Sequence, residues 1–375
     1  MNFLHLSDLH LGKRVNDVSM LQDQRYILTE LLKKIDEKKP QAVFIAGDIY
    51  DKPVPSAEAV ELFDDFLTEL ANRNLSVFII SGNHDSAERI AFGSAIFKNG
   101  GIYTAGVFKG KLDSVLISDE YGELEIVLMP FLKPFAVREA LGDESIESYN
   151  DAVRAAIETV KPFSADRRII IAHQFVSGAV PSDSESISVG GVDMIDAQLF
   201  DDFNYAALGH IHRMQKVKKE EVKYCGTLLK YSSSECGQEK AALFVEIRGD
   251  GSVKTESVAI SPIRDMRKLC GTYAELCNSD NYKNTNTEDY VYITLSDENE
   301  VPDAVQKLRA IYPNIMQLEY SALSSEKSEV KLYNNIESLS PVQLFENFFE
   351  ERNGKPLTDE QRAAVQKTAE KIWEE

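Results

Sequence analysis

Cysteine is scarce in this 375-residue sequence. The four present, Cys225, Cys236, Cys270 and Cys277, are spaced like neither a zinc ribbon nor a disulfide-rich secreted scaffold, so they read as ordinary thiols. Long apolar runs are missing: none approaches the roughly 18 residues needed to cross a bilayer, which excludes a membrane-spanning helix. The opening MNFLHLSDLH lacks a basic stretch followed by a long apolar one. No secretory leader is therefore expected, and the cytoplasm is the expected compartment. Positive charge is also in deficit, with 41 Lys and Arg against 61 Asp and Glu and a net charge of −20. That balance argues against tight, unaided binding of a polyanion unless the positive charge is local or a partner shares the grip. No internal repeat or low-complexity tract is visible.

The length allows two or three domains. Up to about residue 260, short β-branched runs alternate with amphipathic stretches, the pattern of an α/β domain with a buried sheet. The runs fall at 3–6, 42–45, 77–80, 126–129, 169–171 and 205–208. Helices are predicted over 23–38, with Ile27, Leu28, Leu31, Leu32 and Ile35 apolar, and over 56–70, opened by Ser56 as cap. The pattern changes near 261–267. A strand at 289–295, a helix at 301–311 with Pro302 in its first turn and a strand at 315–320 form an expected β-α-β module. The domain expectation is 1–262, then 263–323, a polar linker 324–338, and a two-helix tail 339–375. The tail's first helix carries Val342, Phe345, Phe348 and Phe349, Gly354 and Pro356 end it, and Thr358 with Gln361 forms a capping box for a second helix bearing Val365, Ile372 and Trp373.

Histidine is rare as well, at six residues, yet five of them follow apolar runs together with carboxylates. The segments read FLHLSDLH (Asp8, His10), VFIAGDIYD (Asp48, Asp51), VFIISGNHD (Asn83, His84, Asp85), IIIAHQ (His173) and YAALGHIH (His210, His212). Each lies at the carboxyl end of a predicted strand, the edge of an α/β sheet where loops converge on ligands. On extended backbone, the i, i+2 pairs Asp8/His10 and His210/His212 would point to one side, and Gly47, Gly82 and Gly209 allow sharp turns. Singly, each histidine reads as a hydrogen-bonded or surface residue; as a set they read as a metal site. His5, inside the first strand, is expected to be structural.

Phosphodiester hydrolysis is chemistry that such a set suits, because two cations can neutralise the phosphate, activate water and help an alkoxide leave. Asp48 is the natural bridge, since a carboxylate offers two oxygens and an imidazole one free nitrogen. Mixed oxygen and nitrogen donors without cysteine suit manganese, iron or zinc better than calcium, and manganese better than magnesium.

The pattern D-x-H, GD-x-x-D, GNHD, H and GH-x-H resembles that of the calcineurin-like metallophosphoesterases. The strings SDLHLGKRVNDVSMLQDQRYIL, GDIYDKPVPSAEAVELFDDFL, SGNHDSAERIAFGS and CGTLLKYSSSE, with the FFEERNGKPLTDEQ tail, are similar to the family's bacterial DNA-repair nuclease subunits. The resemblance implies a β-sandwich flanked by helices, a small α+β cap and a C-terminal helical tail. It implies two divalent ions, most suitably Mn2+. Asp8, His10, Asp48 and His212 would hold one ion, and Asp48, Asn83, His173 and His210 the other. His84 would contact the scissile phosphate and assist the leaving oxygen, with Asp51 and Asp85 either orienting the site or capping helices.

Basic residues gather beside these loops: Lys13, Arg14, Lys52, Arg89, Arg213, Lys216, Lys218 and Lys219. Alone each reads as a solvated charge; their shared location favours phosphate contact for Lys13, Arg14 and Arg213. By resemblance the substrate is DNA, cut 3′ to 5′ at double-stranded ends and endonucleolytically in single strands or hairpins. The tail would bind the coiled-coil root of an ATPase partner, and a homodimer would form through nuclease-domain helices including 57–70. Two other readings compete: a phosphatase or cyclic-nucleotide phosphodiesterase on a small substrate, and a non-catalytic scaffold. The cap and tail argue against the first, the full ligand set against the second.

Overall fold

The apolar runs become the central strands of two six-stranded sheets. In spatial order the first contains Val253–Ala259, Ala241–Ile247, Asn2–Leu6, Ala42–Ala46, Ser76–Ile80 and Ile102–Ala105. The second contains Gln215–Val217, Lys219–Tyr224, Tyr205–Gly209, Arg167–His173, Gly122–Met129 and Asp113–Asp119. The central strands run parallel within each sheet, and antiparallel strands flank them. The computed structural model describes residues 1–185 and 193–321, and beyond these 345–346, 349–350, 356–358, 361–362 and 364–365. The chain divides into a unit Met1–Tyr320 and a unit Ser321–Glu375.

Period-two alternation sorts each run between two apolar surroundings, which is why the strands read as continuously hydrophobic. Phe3, Phe44, Phe78, Ile169, Ile171 and Tyr205 belong to the layer between the sheets. Phe3 stacks on Phe44 with ring centroids 4.1 Å apart, and Phe44 meets Phe78 edge-on at 5.2 Å. The alternate residues Leu4, Leu6, Val43, Ile45, Val77 and Ile79 pack with the buried faces of helices α1 (Leu21–Lys38) and α2 (Ala57–Asn72). The Ser56 side chain accepts from the Ala59 amide and caps α2. The outer face of the second sheet is covered by Tyr149–Glu158, whose Val153, Ala156 and Ile157 are buried there.

His5 is a polar tie inside this apolar layer. Its Nε2–H donates to the Leu208 carbonyl at 3.2 Å, and its Nδ1 accepts from the Tyr205 hydroxyl at 3.0 Å. Burial holds the imidazole far down, at about 3, so it is neutral.

The module after residue 262 has three parallel strands, Met266–Gly271, Tyr290–Leu295 and Ile315–Tyr320, with a core of its own around Leu276, Ile293, Leu308 and Tyr312. The first of these strands is absent from the sequence reading, since only Met266 of MRKLCG is buried and no apolar alternation marks it. The helix expected over 301–311 is confined to Ala304–Leu308: Asp303 takes φ +58 and leaves Pro302 outside. In the C-terminal unit the Thr358 amide donates to Gln361 Oε1 at 3.0 Å and the Gln361 amide to Thr358 Oγ1 at 3.3 Å, a reciprocal capping box. Arg362 pairs with Glu346 at 2.7 Å. The rest of the expected tail, including Val342, Phe348, Ile372 and Trp373, and the linker 324–338 lie outside the described residues. Among those described, no helix is long and apolar enough to cross a membrane.

Candidate metal centre

The ligand-type residues sit at the carboxyl ends of five strands drawn from both sheets. Asp8 and His10 follow Asn2–Leu6, Asp48 follows Ala42–Ala46, and Asn83 and His84 follow Ser76–Ile80. His173 closes Arg167–His173, and His210 and His212 follow Tyr205–Gly209. The loops are zipped together by backbone: Asp8 N donates to Gly47 O at 3.1 Å and His10 N to Asp48 O at 2.9 Å.

The backbone that aims these groups is not extended. Asp8, His10, Asp48 and His210 have φ of 52, 44, 50 and 104°, in the region L residues seldom adopt. The i, i+2 pairs therefore converge by tight left-handed turns rather than by strand alternation. Such conformations cost about 1–3 kcal/mol each and survive only where the surroundings enforce them, as at ligand sites. Gly47, with φ +86, needs glycine for its conformation. Gly82 and Gly209 need it for space, since a Cβ there would overlap Asp48 Oδ1 and the Ala46 carbonyl respectively.

All seven expected ligands come together. Ligand atoms of Asp8, His10 and His212 lie within 4.8 Å of one another, as do those of Asp8, Asp48 and His173. His10 Nε2 faces His212 Nε2 at 3.0 Å. Asn83 Oδ1 lies 3.0 Å from His173 Nε2 and 2.9 Å from His210 Nδ1. Asp48 Oδ2 stands between the halves, 3.4 Å from His173 Nε2 and 3.7 Å from His10 Nε2.

Proton positions test whether cations fit. His173 Nδ1 is 2.8 Å from the Ala46 carbonyl, which can only accept, so Nδ1 carries the proton. In a neutral ring Nε2 then presents a lone pair to two further acceptors, Asn83 Oδ1 and Asp48 Oδ2. A proton or a metal ion must fill that gap, and burial makes the need acute. The electrostatics agree. Burial pulls the His173 imidazole down, but the Asp48 carboxylate outweighs it and holds the group at about 9. For Asp48 burial acts upward, yet His173 and His10 hold it far below the usual carboxylate range. Burial keeps His10 and His210 low, the latter at about 3, in the neutral form that ligates.

Several supporting groups escape the sequence reading. His212 Nδ1–H donates to Ser184 Oγ at 2.6 Å, and Ser184 donates on to Glu235 Oε1 at 2.6 Å. Glu235 is wholly buried and paired with Lys240 at 2.6 Å. Burial pushes its carboxyl up, but His212 and Lys240 prevail and keep it ionised. This relay fixes which nitrogen of His212 faces the centre. Glu185 accepts the His212 amide at 2.7 Å. Gln24 and Tyr231 brace the first loop, and Phe131 stacks beside His210 with centroids 6.2 Å apart. Only spatial proximity links these residues, although Gln24 lies within SDLHLGKRVNDVSMLQDQRYIL and Tyr231 and Glu235 within CGTLLKYSSSE.

Neither Asp51 nor Asp85 caps a helix by a side-chain bond. The Asp85 carboxylate accepts from the amides of Ile49, Tyr50 and Gly82 at 2.9–3.1 Å and clasps two loops together. Burial and nearby Asp48 push it up to about 6. Asp51 pairs with Lys13 at 2.8 Å and lies 3.7 Å from His10 Nδ1, while its carbonyl accepts from His84 Nδ1 at 2.9 Å. Arg14, Lys52, Arg89 and Arg213 are exposed, and Arg14 donates to the Asp17 carbonyl. Lys216, Lys218 and Lys219 are engaged with Glu220, Asp196 and Asp201 in surface ion pairs.

A centre of this composition on two packed sheets is that of a metal-dependent phosphoesterase, and the calcineurin-like phosphoesterase family model matches residues 1–214. The chain belongs to that family. Within it, the resemblance is to the SbcD nucleases: over 370 residues the chain is 30% identical to SbcD of the SbcCD nuclease of Staphylococcus epidermidis, with 98% of this chain and 96% of that protein covered. A second model, described as a type 5 capsule protein repressor C-terminal domain, matches residues 262–353. Solved structures to which the chain is similar include TT1561 of Thermus thermophilus, 11% identical with TM-score 0.40 over 68% of this chain and 98% of that one. A dimetal phosphatase from Danio rerio is 13% identical with TM-score 0.39, covering 69% and 99%.

Proposed function

We propose that the protein is a metal-dependent DNA nuclease, the SbcD-type component of an SbcCD complex, acting in DNA repair, replication and recombination. It would cut double-stranded ends from 3′ to 5′ and single strands or hairpins internally. The observation that carries this reading is the convergence of imidazole, carboxylate and amide donors from five loops around Asp48, in a chain similar along its whole length to a nuclease of that kind.

Asp8, His10, Asp48 and His212 would hold one divalent ion, and Asp48, Asn83, His173 and His210 the other, with manganese favoured by the mixed donors. Bound there, the ions supply charge neutralisation at the phosphate and a more acidic water. The chain's own residues do the rest. Ser184 and Glu235 hold the proton of His212 on Nδ1. His84 Nδ1–H is held by the Asp51 carbonyl, which leaves Nε2 as the nitrogen that would take up a proton and pass it to the departing oxygen as water adds to phosphorus. Asp51 and Asp85 keep the loops in register. Lys13, Arg14, Lys52, Arg89 and Arg213 offer the local positive charge that a −20 chain otherwise lacks for gripping a DNA backbone.

The assembly reading has its own support. Around α2, Val60, Phe92, Ile96 and Phe97 are exposed, Phe92 at 79% and Ile96 at 75%, beside a 330 Å3 cavity lined by Phe63 and Leu67. An apolar patch of this kind suits a second copy of the chain. The 263–323 module would cap the metal centre and position DNA, and the helices of 339–375 would bind the coiled-coil root of the SbcC ATPase. Such a complex belongs in the cytoplasm with the chromosome.

Turnover of a fluorescent DNA hairpin against a nucleotide monoester, with manganese, tests the substrate: the hairpin is expected to be cut, and hydrolysis of the monoester alone would replace the nuclease with a phosphatase. Deleting 339–375 is expected to abolish capture of SbcC while manganese-dependent cleavage persists. Retained capture by the shortened chain would refute the tail's role.

A further inference from the structure

Two pairs of adjacent residues each send one side chain to the 263–320 module and the next to the first ligand loop. On α1, Asp23 is 1% exposed and accepts from Arg264 Nε at 3.0 Å, Arg264 Nη2 at 2.7 Å and the Tyr290 hydroxyl at 2.8 Å. Its neighbour Gln24, also 1% exposed, accepts from the Gly12 amide at 2.9 Å and donates to the His10 carbonyl at 2.7 Å. The second pair is Lys230–Tyr231. Lys230 pairs with Asp265 at 2.8 Å, and the Tyr231 hydroxyl donates to the Leu9 carbonyl at 2.9 Å. The pairs are joined to each other, because Gln24 Nε2 donates to the Tyr231 hydroxyl at 2.9 Å.

We infer that Asp23–Gln24 and Lys230–Tyr231 form a coupling device through which the placement of the 263–320 module sets the position of the Asp8–His10 loop. The chemistry favours transmission. Adjacent residues on a helix turn or tight loop cannot move independently, and both inner members are buried with their polar groups satisfied, so a shift on the outer side must break a buried bond or move the loop. The outer side has room to move: a cavity of 340 Å3 lies against Met20, Arg264, Met266 and Tyr290. The opposite half of the centre is reached less directly: His173 is held by the Ala46 carbonyl, and His210 by ring contacts and by the bond of its amide to the Asp8 carboxylate at 3.0 Å. Gln24 and Tyr231 are thus positioning residues, and Arg264 and Asp265 are the handles by which the module reaches them.

The inference rests on the metal-centre reading, and its test separates the two. Cobalt(II) is titrated into the full-length metal-free chain and its Arg264→Ala, Arg264→Lys and Asp265→Ala variants, with visible absorption and calorimetry as readouts. Arg267→Ala, which breaks a pair with Asp289 inside the module, serves as control. The expectation is two cobalt ions in the parent and control. One ion should bind about ten-fold more weakly in Arg264→Ala and Asp265→Ala, with a changed absorption band, and the other should change less. Arg264→Lys keeps the charge without the two-pronged bond and should show a smaller shift, which keeps the effect readable if an alanine variant does not fold. Parent-like affinities and spectra in the Arg264 and Asp265 variants would overturn the coupling while leaving the metal centre standing. A parent that binds no cobalt would overturn both.

Discussion

The two halves of the metal centre are held in different ways. On one side, His10 and His212 depend on side chains from other elements: Gln24 and Tyr231 under the first loop, Ser184 and Glu235 behind His212. On the other, His173 donates to a main-chain carbonyl and His210 lies among the rings of Phe131, Phe175 and His173. A carbonyl of a central strand is about as fixed as any acceptor in a protein; a buried hydroxyl-carboxylate relay is fixed only while each member stays in place. The first half is therefore open to adjustment from outside, and the second is set once the sheets form. Asp48, between them, belongs to both.

Substitutions can break that contrast or sharpen it. Asp48→Ala should have the largest effect, because it removes the shared donor. If each ion supplies several kcal/mol of transition-state stabilisation, turnover should fall by more than about 10⁴-fold, with neither ion retained by metal analysis. Retention of one ion at parental affinity would show the halves to be independent. His84→Ala should keep both ions and lose about 10²- to 10³-fold in cleavage rate, as expected for a proton donor; full activity would remove it from the chemistry. Glu235→Gln should weaken one ion about ten-fold by loosening His212, whereas Phe131→Leu should leave both affinities within about two-fold. Equal losses in the two variants would erase the distinction between the halves.

The smallest effect concerns the layer on which both halves stand. His5 sits at about 3 in the folded protein and near 6.5 when the chain unfolds, so the unfolded state binds the extra proton. Its contribution is whole above pH 6.5 and is lost as pH falls toward 3. About 2 kcal/mol should disappear between pH 6.5 and pH 5. Urea denaturation of the parent across that range should show the loss, and His5→Gln should flatten the slope. An unchanged slope would mean that His5 is not the titrating group.

How far the sequence could be read depended on whether the physical signal is local. Apolar runs ending in Asp, Asn and His located the ligand loops, because a strand buried on both faces cannot avoid being apolar and its end cannot avoid being polar. The runs did not reveal that they divide between two sheets, since alternation reports burial and not partner. The left-handed turns at Asp8, His10 and His210 were hidden too: φ is imposed by backbone bonds between loops, and no residue type there announces it. Met266–Gly271 is an edge strand with one buried side chain, too little to leave a pattern. Gln24, Ser184 and Glu235 act through neighbours that only the fold supplies.

The central claim is that donors from five loops seat two cations around Asp48. Crystals grown with manganese and measured at its absorption edge would test it most directly. Two anomalous peaks are predicted, one beside Asp8, His10 and His212, the other beside Asn83, His173 and His210, each within bonding distance of Asp48. No peak, or peaks bound by other residues, would contradict the account.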